Sequence, residues 1–336
     1  MTHPDTPLTP QNTHLALRIL TTAKKHWFLI GLIAVFALVI FDWTGTLARA
    51  GILFKDNNGP SVMIFVIFLL SGMIIEVEQI RAGIRDVRAT CAALGLIVLV
   101  SPVLALLLVL IPMETGMALG LFLVAVMPTT LSSGVVMTGQ ARGNMAHALF
   151  VTILSNCIAV GTIPVVLPLL LAGLDLDAGL FIDRAGIFIT LLFLVLLPLV
   201  MGMGIKKAVP DMPLEWKKRF SMVNQCIVLG IVYMSLSGAR EALVAGWGDL
   251  FIVLPLVVGF HLALLAASFG AARLLHIGRG RRESVIFMGA QKTLPLSVML
   301  QITCFPQYGI ALLVCVIHHI AHLMIDGFLA GKMGSE

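Results

Sequence analysis

The chain has 336 residues, of which 59% are hydrophobic and only 12% charged, and its formal net charge is +5. This composition excludes a soluble globular domain, and because the basic residues fall in short loops between apolar spans it also excludes a nucleic-acid surface. The sequence reads as an all-α polytopic membrane protein.

Residues 1–26 carry prolines and threonines but no apolar pattern, and they read as a disordered cytoplasmic tail. From there, windows of about 20 apolar residues predict ten spans, near 27–43, 60–77, 89–112, 116–140, 144–172, 185–205, 219–238, 250–273, 284–303 and 309–330. A competing reading makes 18–50 a signal peptide, with Lys24 and Lys25 before an apolar run and Ala48-Arg49-Ala50 as the cleavage site. Cleavage there would remove a helix that the repeat described below requires.

Loop charge supports ten spans. With the N-terminus inside, seventeen of the 22 Lys and Arg residues lie on the cytoplasmic side. Only Arg49, Lys55, Arg184 and Arg240 lie outside, and Lys292 falls within a span. Losing or adding one middle helix destroys this segregation. Both termini are therefore expected in the cytoplasm, and the chain in the cell (inner or plasma) membrane. Ten spans divide into repeats of five, 27–174 and 175–336. Because five is odd, the second repeat crosses in the inverted sense.

The fourth span of each half is broken at its middle. The first break reads Pro128-Thr129-Thr130-Leu131-Ser132-Ser133-Gly134-Val135, and the second reads Gln291-Lys292-Thr293-Leu294-Pro295-Leu296-Ser297-Val298. Backbone that cannot be helical at bilayer depth has to line a cavity enclosed by protein. Paired breaks in corresponding spans mark a secondary transporter's binding site.

These residues carry a family resemblance. Pro128 to Asn144, with Met137-Thr138 and Ala141-Arg142-Gly143-Asn144, resembles the fourth and fifth helices of the bile acid:sodium symporter family. Gly289-Ala290-Gln291-Lys292 and His318-His319 resemble its last two helices, and the match covers about 27–330. In detail the chain is most similar to the branch holding the divergent seventh human member. The resemblance implies a panel of helices 1, 2, 6 and 7 and a core of helices 3–5 and 8–10. It also implies crossed breaks with substrate beside the crossing, and alternating access by movement of core against panel.

Coupling departs from the family pattern. The position that carries a sodium-serving glutamate in well-studied members is Phe287 here, and a helix 3 glutamine aligns with Ile97. Ser132, Ser133, Thr152 and Gln291 remain as ion-coupling candidates, offering oxygen without charge. Lys292 stands where relatives have a substrate-contacting asparagine. Its ammonium could replace a sodium ion, face an anionic substrate beside the N-termini of the half-helices, or carry a proton between the two sides. The structural alternative pairs it with a helix C-terminus or with a carboxylate such as Glu76 or Asp326. A lysine within a span costs about 2.5–3.5 kcal/mol, so one of these must hold.

His318, His322 and Asp326 recur every four residues along one face of helix 10. That face could relay protons or hold a metal, but a polar seam against helix 9 or the cavity is favoured over a metal site. His319 points elsewhere and aligns with a position near substrate, and His147 reads as a satisfied core histidine.

Other signals carry less. The five cysteines lie in apolar stretches without metal or redox spacing, and the 17 methionines read as adaptable packing. Glu76, Glu78 and Arg81 to Arg88, and the loop from Lys206 to Arg219, read as membrane-surface segments that meet lipid. An intramembrane enzyme on His318-His319-x-x-His322 lacks the further histidine boxes or adjacent glutamate that it would need.

The resulting expectation is a sodium- or proton-coupled carrier of a small organic anion, not an enzyme, without cofactor or obligate protein partner. Thr130, Ser132, Ser133, Lys292, Thr293 and His319 are its substrate-binding candidates. Ser133, Thr152, Gln291, Lys292 and His318 are its ion-coupling candidates. The alternative is a non-transporting regulator of ion homeostasis on the same fold.

Overall fold

The computed structural model describes residues 27–75, 86–174, 183–209, 212–245 and 247–335. The expected N-terminal tail, Glu76, Glu78, Arg81, Arg85, the repeat boundary over 175–182 and Pro210 lie outside these residues. Among the described residues all regular structure is helical. In chain order the helices are α1 Trp27–Ile40, α2 Thr46–Asp56, α3 Gly59–Ile74, α4 Val87–Val109, α5 Thr115–Ala125, α6 Ser133–Gln140 and α7 Met145–Leu171. They continue as α8 Arg184–Ala208, α9 Leu214–Ala245, α10 Leu250–Leu274, α11 Arg281–Ala290, α12 Leu294–Cys304 and α13 Gly309–Ser335.

Among the described residues seven spans are long and apolar enough to cross a membrane: α4, α7, α8, α9, α10, α13 and the α11–α12 pair taken through its break. Large apolar side chains point outward as well as inward, among them Leu106 and Leu107 on α4, Phe251 on α10 and Phe328 on α13. Helices that are apolar on all faces suit a lipid solvent and not water.

Helix α2 is not anticipated by the hydropathy windows. It has 11 residues and carries Arg49 and Lys55, too short and too polar to register as a span. The Asp42 carboxylate holds its start by accepting the Ala48 N–H at 2.9 Å. Arg240 of α9 donates to the carbonyls of Val39 and Asp42 at 3.0 and 2.8 Å, fastening α9 to the end of α1. Helices α2 and α3 meet at 69°.

Helix α3 packs against α8 and α9, and the α3–α8 contact is made backbone to backbone. A Cβ added at Gly72 would stand 2.3 Å from the Leu199 carbonyl oxygen, and one at Gly202 would stand 2.1 Å from that of Leu69. Small residues allow this approach, and dispersion between the close backbones replaces the hydrophobic drive that lipid does not supply. Gly202→Leu is therefore expected to destabilise the protein by about 1–3 kcal/mol. Gly204→Leu, where nothing lies within 4 Å, should be close to neutral. Unfolding of the two variants in one detergent checks the pair, and equal midpoints would refute the contact.

The α11–α12 pair forms the axis of the remaining helices: 94% of its apolar window is buried, against 61% or less for every other span. Its break at 291–293 meets the break at 126–132 between α5 and α6, and the Thr293 N–H donates to the Pro128 carbonyl at 2.9 Å. Pro295 sits in the first turn of α12, where its missing N–H costs nothing. Two π-helical turns, Leu96–Val100 in α4 and Leu192–Leu196 in α8, each stand two residues before a proline, Pro102 and Pro198.

Candidate functional site

Where the breaks touch, side chains complete what the backbone leaves open. The Thr130 hydroxyl donates to Gln291 Oε1 at 2.8 Å and accepts the Gly134 N–H at 3.0 Å. Ser133 Oγ lies 2.8 Å from Thr130 Oγ1 and 3.0 Å from Gln291 Oε1. A Cβ on Gly134 would stand 2.8 Å from Met288 Sδ and 3.1 Å from Gln291 Oε1, so this residue lets α6 start against α11. Gln291 is thus the hub of the crossing. Its Nε2 donates to Asp326 Oδ2 on α13 at 2.8 Å, and it also lies 2.9 Å from Met137 Sδ.

The network continues to a residue that the sequence reading passed over. Asp326 Oδ1 lies 2.8 Å from His261 Nε2 of α10, and both side chains are fully buried. His318 and His322 stack beside this pair, with ring centroids 5.4 Å apart and each 5.7 Å from that of His261. His322 Nε2 lies 2.8 Å from His319 Nδ1. His261 Nδ1, His318 Nε2 and His322 Nδ1 have no hydrogen-bond partner, yet no group of three His, Cys, Asp or Glu among the described residues is arranged to hold a metal ion. The signal for His261 was a histidine in the middle of an apolar span, which has to find a partner.

A pocket of about 70 Å³ opens beside the crossing. Thr130, Ser132, Ser133, Thr293 and His319 line it from the broken helices and α13, and Phe28, Ile67, Asn224 and Val228 face them from α1, α3 and α9. Five of the six substrate-binding candidates therefore share one cavity. Its volume is far below the roughly 300–1,000 Å³ of pockets that enclose drug-sized ligands.

Lys292 is the sixth, and the structure sends it elsewhere. Its side chain is only 2% exposed, and its ammonium donates to the carbonyls of Ile97, Ala125 and Met127 at 3.1, 3.0 and 3.0 Å. All three N–H donors are spent on backbone oxygens behind the break. The expectation of an anion-facing lysine is corrected accordingly, and so is its pairing with Asp326, whose carboxylate is taken by Gln291 and His261. A helix C-terminus, that of α5, is the partner found.

The other ion-coupling candidates are placed as follows. Thr152 Oγ1 donates to Ala148 O at 3.0 Å and stands 3.4 Å from Thr130 O. Asn156, one turn further along α7, donates to Thr152 O and approaches Thr129 O, while its Oδ1 and the hydroxyl of Thr129 are buried without partners. Thr129 and Asn156 went unnoticed because neither is unusual alone; only the fold sets them beside the break. The Gln291 oxygen is already occupied by two hydroxyls, and His318 lies in the histidine cluster, not in the pocket. Phe287 is fully buried in an apolar cluster with Ala141 and Ala330. His147 is held from both nitrogens, by Ser284 and Thr90.

Residues 26–335 match the SBF-like CPA transporter family. The chain belongs to that family. It is a multi-pass membrane protein of a transporter family, not an enzyme, and the resemblance read from the two breaks is thereby shown. It is 31% identical over 280 residues to the probable sodium/metabolite cotransporter BASS4, chloroplastic, of Arabidopsis thaliana, covering 78% of this chain and 63% of that protein, just under two thirds of its length. It is 30% identical to the protein of the same name from Oryza sativa subsp. indica, over 95% of this chain and 78% of the relative. It is 24% identical to sodium/bile acid cotransporter 7 of Xenopus tropicalis, over 94% of each.

Proposed function

We propose that this family member is a secondary active transporter that moves a small organic anion across the membrane by alternating access, coupled to sodium or to protons. The observation that carries this reading is the pocket at the crossed breaks, lined on one side by broken helices and on the other by α1, α3 and α9. In the proposed scheme ten crossings form two inverted repeats, 27–174 and 175–336. A panel of α1, α3, α8 and α9 rocks against a core of α4–α7 and α10–α13, with both termini cytoplasmic in the cell membrane.

Anion selectivity comes from the break itself. The N-termini of α6 and α12 open at the pocket, where the positive helix ends favour negative charge. Thr130, Ser132, Ser133, Thr293 and His319 add hydroxyl and imidazole contacts. For the coupling ion, the relatives' names support sodium, and the neutral oxygens of Thr129, Thr152 and Asn156 beside the break suit a hard cation. The absence of a carboxylate at Phe287 and the buried His261–Asp326 pair favour protons.

Thermal stabilisation of the purified protein tests the reading, with a panel of small carboxylates, sulfonates and phosphates, each in sodium, in potassium and at several pH values. A ligand present at 100 times its Kd adds about 2.7 kcal/mol. The expected result is an anion-specific shift that requires either sodium or low pH, and that matches saturable uptake into liposomes. No shift with any anion would favour the non-transporting regulator.

A further inference from the structure

We propose that the Lys292 ammonium is a tethered cation filling a backbone-carbonyl cage that would otherwise take a free alkali-metal ion. On this view the positive charge at the crossing belongs to the chain and is exchanged with neither side.

The cage is built independently of the lysine. In the π-helical turn of α4 the Ser101 N–H reaches back to Leu96 O, one residue further than in an α-helix. Continuing that register would give Ile97 O to residue 102, which is Pro102 and has no N–H. The Ile97 carbonyl is thereby orphaned. Ala125 is the last residue of α5 and Met127 lies just beyond it, so their carbonyls belong to the negative end of that helix. Ser101 Oγ supports the arrangement by donating to Ala125 O at 2.8 Å.

Three carbonyl oxygens thus converge on one point at 3.0–3.1 Å. Among the described residues no ion pair joins Lys292 to a carboxylate. A buried ammonium without a counter-charge is costly, so the cage itself must favour a cation. Rings of backbone carbonyls are how proteins strip and hold potassium-sized ions.

The consequence for coupling rests on the transporter reading: this position contributes no transported ion, and any sodium dependence arises elsewhere. The cage is tested by binding alone. Full-length wild type, Lys292→Ala and Lys292→Met are melted in chloride salts of sodium, potassium and choline at equal ionic strength. Alanine empties the cage, whereas methionine fills it with an apolar chain.

The expected result is a saturable midpoint rise of Lys292→Ala in potassium or sodium over choline, beyond any seen in wild type, with no such gain in Lys292→Met. Recovery of folded Lys292→Ala only when an alkali cation is present would support the proposal equally. A salt response of Lys292→Ala identical to wild type overturns it. So does the same gain in Lys292→Met, and so does failure of Lys292→Ala to fold in every salt. Loss of anion uptake in all three proteins would count against the transporter reading and leave the cage intact.

Discussion

Asp326→Ala is expected to lower the unfolding free energy by about 2–6 kcal/mol, because it leaves two buried hydrogen-bond partners unsatisfied at about 1–3 kcal/mol each. The carboxylate joins three elements: it accepts from Gln291 at the helix break and faces His261 of α10, from its own place on α13. All three side chains are fully buried, so neither partner can turn to water when the acceptor is removed. Gln291 would then be free to rotate away from Thr130 and Ser133, and the crossing would lose its register. Asp326→Asn keeps an oxygen for Gln291 and should lose less than half as much. Denaturation in a single detergent gives the ranking, and an alanine variant as stable as wild type would show that the network holds nothing together.

The second large effect is on activity. Ser132→Phe should reduce anion binding and uptake at least about tenfold, equivalent to 1.4 kcal/mol, while leaving stability within about 0.5 kcal/mol. Ser132 lines the pocket and precedes α6, but its hydroxyl caps no N–H of that helix, so the substitution removes no structural bond. A benzyl group projecting into about 70 Å³ leaves little room for a ligand. Undiminished uptake with normal stability would move the substrate away from this pocket. A melting point that collapses along with uptake would instead give Ser132 a structural role.

Much of this was legible without coordinates. Composition alone required lipid around the helices, because no arrangement of 59% hydrophobic residues can hide them all from water. The two breaks were legible because proline, glycine and hydroxyls at mid-span leave backbone groups that need protein partners, and they proved to be each other's partners through Thr293 and Pro128. Helix α2 was not legible, since its two basic residues interrupt the only periodicity that a hydropathy window can detect.

Side-chain direction is where the sequence stopped and the tertiary structure decided. The two breaks placed Thr130, Ser132, Ser133 and Thr293 near a cavity, since residues within a break have few other places to be, and the family resemblance placed His319 there. The same reasoning placed Lys292 there, yet its chain is long enough to reach behind the break. Whether it does depends on what lies there: the orphaned carbonyl of Ile97 and the end of α5, which come from residues far away in sequence. His261 and Asp326 find each other across two helices for the same reason. A buried polar group must be satisfied, and the sequence states that need; only packing supplies the partner.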